Sequence, residues 1–259
     1  MSDATIDEIC LVALAEAFRG DGELLCHPMG PFPVAAGRLA RASFEPDLML
    51  TDTIAYAVAG TLPLGATVTR PGGSDEAIVV EGYLPFRTVF DQAWSGRRHV
   101  VMGASQIDRH GNQNFAAIGD YRRPKAQLLG LRGAPGNVIN HTTSYWIPNQ
   151  ARSFCETVDV VSGPGYDRVA ALPGPSGRFH EIRRVVTELA AFDFETPDRI
   201  MQLRSVHPGV ALADVLAATP FELAVPDDVP ASRLPTGAEL HLIRDAIDPN
   251  GIRKREFRS

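Results

Sequence analysis

The sequence is poor in lysine and cysteine and has no long apolar run. Lys125 and Lys254 are the two lysines, against 23 arginines, and the 25 basic residues are outnumbered by 31 acidic ones, for a net charge of −6. Phosphate backbones need a basic surface, so nucleic acid is excluded as the main partner. The three cysteines, Cys10, Cys26 and Cys155, are far apart and form no C-x-x-C. Such usage fits a reducing compartment without a disulfide framework. No His or Cys pair stands at ligand spacing, so no metal is expected. No uninterrupted apolar stretch nears the ~18 residues that a membrane span requires. The opening segment MSDATIDE is acidic and lacks the basic and apolar regions of a signal peptide. A cytoplasmic protein is the expectation.

What remains is ordinary globular composition: 44% hydrophobic and 22% charged over 259 residues, with no internal repeat. Thr5-Ile-Asp-Glu8 reads as a capping box, followed at helical spacing by Ile9, Val12, Ala13, Leu14, Ala17 and Phe18. Strands are predicted at 23–26, 47–51, 66–70, 77–80 and 99–102, a turn at Pro71-Gly72-Gly73, and helices at 33–44 and 85–94. Alternation of short apolar strands with helices predicts an α/β fold with an open, largely parallel sheet. Beyond residue 115 the pattern turns β-rich, with strand-like runs at 137–140, 157–161, 184–189 and 200–206, an exposed loop at 173–178, and helices near 210–218 and 237–247. One domain covering 1–259, with an added β-rich section, is the expected organisation.

Ligands of open α/β sheets bind at the carboxyl ends of strands, and four polar clusters fall there. Asp52 follows the strand-like DLML. It is either a cap of the segment beginning Thr53-Ile54 or a nucleophile, base or orienter. In Gly103–Asn114, residues 108–111 form a turn in which Gly111 suits a positive φ. That segment is either a rigid polar turn or, through Gln106, a ligand contact. The stretch from Arg132 through Gly133 and Gly136 to Asn137 is an ordinary loop or a place where amides meet an oxyanion. It is not a P-loop, since no Gly-Lys-Ser/Thr follows, nor a dinucleotide fingerprint, since no helical pattern follows. Asn140, His141 and Tyr145 belong to a run dense in donors and acceptors; His141 is either structural or a base near neutral pH. Ser105 and Ser144 lack the setting of a nucleophile elbow.

GASQIDRHGNQN at 103–114 resembles the G-A-x-Q-[IV]-D-x-x-G-N-x-N segment of CoA-transferase β subunits. Arg132–Asn137 lies where that family has its Gly-Ser-Gly-Gly loop. HPGVALADVLAATPFEL at 207–223 and PTGAELHLIRDAIDPNGIR at 235–253 are similar to its carboxyl-terminal helices. The resemblance implies an α/β fold of the CoA-transferase type. It also implies an α-type partner subunit in a heterodimer or α2β2 assembly, an acyl-CoA substrate, and no cofactor beyond the CoA that the substrate carries. Transferases of the family attack the thioester with a β-subunit glutamate in a segment like Ile-Tyr-Glu-Ser-Gly. Here the aligned residues are Leu50-Thr51-Asp52-Thr53-Ile54, one methylene short at the carboxylate, and a ~1 Å misplacement of an attacking atom costs about 100-fold. The sequence is more similar to the branch that hydrolyses a ring carbon–carbon bond of a steroid-derived cyclohexenone-carboxyl-CoA, in which the α subunit supplies the essential glutamate. That likeness implies a hydrolase of steroid and cholesterol breakdown, with Asp52 catalytic and Gln106, Gly133, Gly136, Asn137, Asn140, His141 and Tyr145 binding substrate. A transferase using Asp52 as nucleophile and a non-catalytic, substrate-binding subunit remain the alternatives.

Overall fold

In the computed structural model, the described residues are 4–51, 56–59, 61–65, 79–83, 91–92, 95–128, 130–131 and 133–257. The chain divides into two compact units, Met1–Met102 with Arg233–Ser259, and Gly103–Ser232.

The first unit opens with helix α1, Ile6–Ala15. The Thr5 amide donates to Glu8 Oε2 at 2.9 Å, half of the reciprocal cap that the sequence predicts. Ile9, Cys10, Leu11, Val12, Leu14 and Ala15 are all buried, so α1 is an interior helix. Strands β1 (Leu25–Pro28), β2 (Met49–Leu50) and β5 (Arg98–Met102) run parallel in the order β5-β1-β2. Their register pairs Cys26 with both Leu50 and His99, and His27 with Val100. Side chains alternate across a strand, so Cys26, Leu50 and His99 share one face while His27, Arg98 and Val100 share the other. Helix α2, Pro31–Ser43, packs on the Leu50 face. Gly37 makes that approach possible, because a Cβ there would stand 3.1 Å from Leu50 Cδ2. Strands β3 (Tyr56–Ala59) and β4 (Val79–Tyr83) form an antiparallel pair.

The carboxyl-terminal part of this unit returns to α1. Thr236 caps a short helix, Gly237–His241, by accepting from the Glu239 amide at 3.2 Å. The helix continues as a π-turn over Leu242–Ile247, so only the first part of the expected 237–247 helix is α. Buried Arg253 then donates to Asp7 at 2.7 Å, Glu8 at 3.0 Å and Asp248 at 2.9 Å.

The second unit has two small hairpins, β6 (Gln106–Ile107) with β7 (Gln113–Asn114) and β8 (Ala117–Ile118) with β9 (Ala126–Gln127). Its main strands are β10 (Thr142–Ile147), β11 (Glu181–Thr187), β12 (Ala190–Asp193) and β13 (Gln202–Val206). β10 and β11 are parallel, and β11-β12 and β12-β13 are antiparallel. The α/β class and the β-rich later section are therefore as expected.

Three expectations are corrected. Residues 137–140 are not a strand but the last part of a helix, Ala134–Asn140; the β-branched Val138 and Ile139 misled the reading, and Pro135 stands in its first turn, where a missing N–H costs nothing. The run 157–161 forms no strand, and its Asp159 carboxylate instead accepts from Gln106 Nε2 at 3.0 Å and the Gly119 amide at 2.7 Å. The strand at 47–51 shrinks to Met49–Leu50. The strand at 66–70, the Pro71-Gly72-Gly73 turn and, apart from Asp91 and Gln92, the helix at 85–94 lie outside the described residues. Among the described residues, no helix is long and apolar enough to cross a membrane.

Candidate active site

Asp52, with Thr53–Ala55, lies outside the described residues; the structure describes the strand end that leads to it. Thr51 extends the β1–β2 ladder by one step, its amide donating to Cys26 O at 2.9 Å. Its hydroxyl also contacts Cys26 O at 3.2 Å and His27 Nδ1 at 2.5 Å. Burial, helped by the charge of Arg98, pulls His27 down to about 4, so the ring is neutral at physiological pH. Burial likewise lowers Arg98 to about 10. His27 escaped the sequence reading because it sits in no motif and meets Thr51 across 24 positions.

The opposite face of β1 and β5 gathers Asp21, Cys26 and His99, whose ligand atoms lie within 4.8 Å of one another. His99 Nδ1 is 2.7 Å from Asp21 Oδ2, and the Cys26 thiol is 3.7 Å from the same oxygen. Linear spacing hid this set, since three segments of chain bring it together. The 2.7 Å contact is at hydrogen-bond distance.

In the second unit, the 103–114 cluster is a braced turn. Asp108 Oδ1 accepts from the amides of His110 and Asn112, each at 3.0 Å. Asn112 Nδ2 donates to Asp108 Oδ2 at 3.0 Å and Asp167 Oδ1 at 2.9 Å, while its Oδ1 accepts from the Gly165 amide at 2.8 Å. Gly111 has φ +81°, as its place in the turn predicts. Burial raises the Asp108 carboxyl against these hydrogen bonds. Gln106 is half-buried and largely committed to its own fold: Oε1 accepts from Asn114 Nδ2 at 2.6 Å and the Asp159 amide at 3.0 Å, leaving one amide hydrogen for a ligand.

Gly133 stands at the amino end of helix 134–140. The Asn137 amide donates to Gly133 O at 3.1 Å and is thereby spent. A Cβ placed on Gly136 would meet nothing within 4 Å. Asn140 Nδ2 donates to Gly136 O at 2.8 Å. His141 and Tyr145 are fully buried, and the Tyr145 hydroxyl has no hydrogen-bond partner among the described residues. The structure therefore groups Gly133, Gly136, Asn137 and Asn140 on one half-buried segment, while His141 and Tyr145 belong to the interior.

No protein-family model matches the sequence. The fold is that of the CoA-transferases: the structure matches glutaconate coenzyme A-transferase from Acidaminococcus fermentans with a TM-score of 0.78 at 23% identity, covering 99% of this chain and 98% of that one. The match is fuller with the IpdAB structure of Rhodococcus jostii RHA1, at a TM-score of 0.90 and 47% identity over the whole of both chains. In sequence, the chain is 50% identical to the cholesterol ring-cleaving hydrolase IpdB subunit of Mycobacterium tuberculosis H37Rv, covering 99% of this chain and 100% of that one. It is 47% identical to the Rhodococcus jostii IpdB subunit, covering 99% and 97%. The chain belongs to the family of cholesterol ring-cleaving hydrolase IpdB subunits.

Proposed function

We propose that this chain is the β-type subunit of a hydrolase that opens a ring carbon–carbon bond of a cyclohexenone-carboxyl-CoA derived from cholesterol, acting with an α-type subunit. One observation carries the reading: 50% identity over 99% of the chain to the cholesterol ring-cleaving hydrolase IpdB subunit of Mycobacterium tuberculosis H37Rv. The reaction is a hydrolytic retro-Claisen cleavage. A carboxylate of the α-type subunit takes a proton from water, and the hydroxide adds to a ring ketone. The carbon–carbon bond then breaks, its electron pair forming a thioester enolate. The proton taken from water returns to that carbon, so the net change is addition of OH and H across one bond. Asp52 orients the water. The half-buried positions Gly133, Asn137, Asn140 and Gln106 line the acyl-CoA path. We assign the reaction to the cytoplasm, consistent with three cysteines that form no disulfide with one another among the described residues.

Labelled water tests the reaction. The complex with the α-type subunit, given the ring-closed CoA ester in ¹⁸O-water, is expected to place one ¹⁸O in a newly formed carboxylate and leave the thioester intact. CoA appearing on an added carboxylic acid, with the ring unbroken, would instead identify a transferase. Asp52→Asn in the same complex is expected to lower kcat more than about 100-fold. An unchanged kcat would remove Asp52 from the chemistry.

A further inference from the structure

β2 is held to β1 by two paired residues, Met49 and Leu50. The next residue but one after Leu50 is Asp52, and Thr51 between them adds to this pairing. Its amide and hydroxyl both meet Cys26 O, at 2.9 Å and 3.2 Å, and its hydroxyl meets His27 Nδ1 at 2.5 Å. From the other face, Leu50 is pressed by α2 at Gly37.

The hydrogen-bond directions follow from counting protons. A threonine hydroxyl has one proton to give and two lone pairs. The contacts to Cys26 O and His27 Nδ1 are both satisfied only when Thr51 donates to the carbonyl and Nδ1–H donates to Thr51. Nδ1 must then carry its proton, and because burial and Arg98 on the same face hold the ring neutral, it is the Nδ1–H tautomer. His27 Nε2 makes no hydrogen bond among the described residues, and the ring is half-buried.

We infer that His27 is a positioning residue for ring opening: its Nδ1–H holds the hydroxyl of Thr51, the residue bonded directly to Asp52. The inference rests on the reading that Asp52 takes part in the reaction. A reacting group displaced by ~1 Å loses about 100-fold, so loosening Thr51 costs rate more than affinity.

The test uses the complex with the α-type subunit and the ring-closed CoA ester, with thermal unfolding recorded for every variant. His27→Leu and Thr51→Val are expected to lower kcat about tenfold or more while KM stays within about threefold. His27→Asn is expected to restore most of the loss, because the asparagine amide presents a donor close to where Nδ1–H stands. His27→Gln, whose amide reaches the Nε2 position, is expected to behave like His27→Leu. Placed on Asp52→Asn, His27→Leu is expected to add no further loss. Unchanged kcat in His27→Leu and Thr51→Val, equal deficits in His27→Asn and His27→Leu, or additive losses with Asp52→Asn would each overturn the inference. If Asp52→Asn alone leaves kcat unchanged, the parent reading of Asp52 falls instead, whatever His27 does. Should His27→Leu fail to assemble, Thr51→Val and the contrast between the Asn and Gln variants still decide the matter.

Discussion

Arg253 and Glu8 meet at 3.0 Å across 245 positions of the chain. The same guanidinium binds Asp7 and Asp248, so one arginine satisfies three carboxylates with almost no solvent. A buried charge network of this kind gains little net stability from its formation, but removing one partner strands the rest. Arg253→Leu is therefore expected to destabilise the first unit by about 3–5 kcal/mol, read from urea unfolding of the complex. A loss below about 1 kcal/mol would mean that the three carboxylates find other partners or water.

Acid should weaken the protein in two stages. His27 and His207 are both held at about 4 by burial, below the usual 6.5. A histidine whose folded pKa is depressed stabilises the fold above its unfolded pKa, and that contribution is lost as pH falls from about 6.5 to about 4. Glu8 follows. Burial pushes its carboxyl up, but the hydrogen bonds from Arg244 and Thr5 outweigh this and bring it to about 2, from the usual 4.5. Its contribution, on the order of 2–3 kcal/mol, is present above pH 4.5 and lost between there and about 2. The stability gap between the wild type and Glu8→Gln is expected to narrow across this second window in urea titrations. A gap independent of pH would show that Glu8 is not ionised in the fold.

The outline of the fold was legible because it rests on local chemistry. The Thr5–Glu8 cap announced α1, apolar runs announced β1, β5, β11 and β13, and the Asp-x-x-Gly turn announced Gly111. What stayed hidden depends on distant partners or on context. Val138 and Ile139 carry strand propensity, yet Pro135 and the Asn140-to-Gly136 bond bend their segment into a helix. The π-turn at Leu242–Ile247 has the same spacing of apolar residues as an α-helix over so short a run. Within the site, the loop residues were visible as a motif, whereas His27 and Thr51 became partners only through the pairing of β1 with β2.

Asn112 joins two segments that the sequence reading kept apart. Its side chain donates to Asp108 and Asp167 and accepts from Gly165, and Gly165 itself is so close that a Cβ there would stand 2.3 Å from His110 O. Asn112→Ala removes two bonds to carboxylates and leaves a buried amide without its acceptor. A loss of about 2–4 kcal/mol is expected. Asn112→Asp should be at least as harmful, because it sets a third carboxylate beside Asp108 and Asp167. Chemical unfolding of the second unit's tryptophan signal at Trp146 checks both, and an Asp variant as stable as the wild type would refute the staple.

Tyr145 presents the opposite case, a polar group whose removal should help. Its ring is fully buried and its hydroxyl has no hydrogen-bond partner among the described residues; burial drives the phenol far above its usual range. A buried hydroxyl without a partner costs roughly 1–3 kcal/mol of desolvation. Tyr145→Phe keeps the ring and deletes only the oxygen, so the chain is expected to gain about 1 kcal/mol, a rise of roughly 2–4 °C in Tm for a domain of this size. A substrate role makes a different demand: if the hydroxyl binds the acyl group in the working complex, the same variant raises KM or lowers kcat severalfold. Measuring Tm and KM on one preparation separates an interior tyrosine from a binding one, and a fall in Tm would show that the hydroxyl has a partner after all.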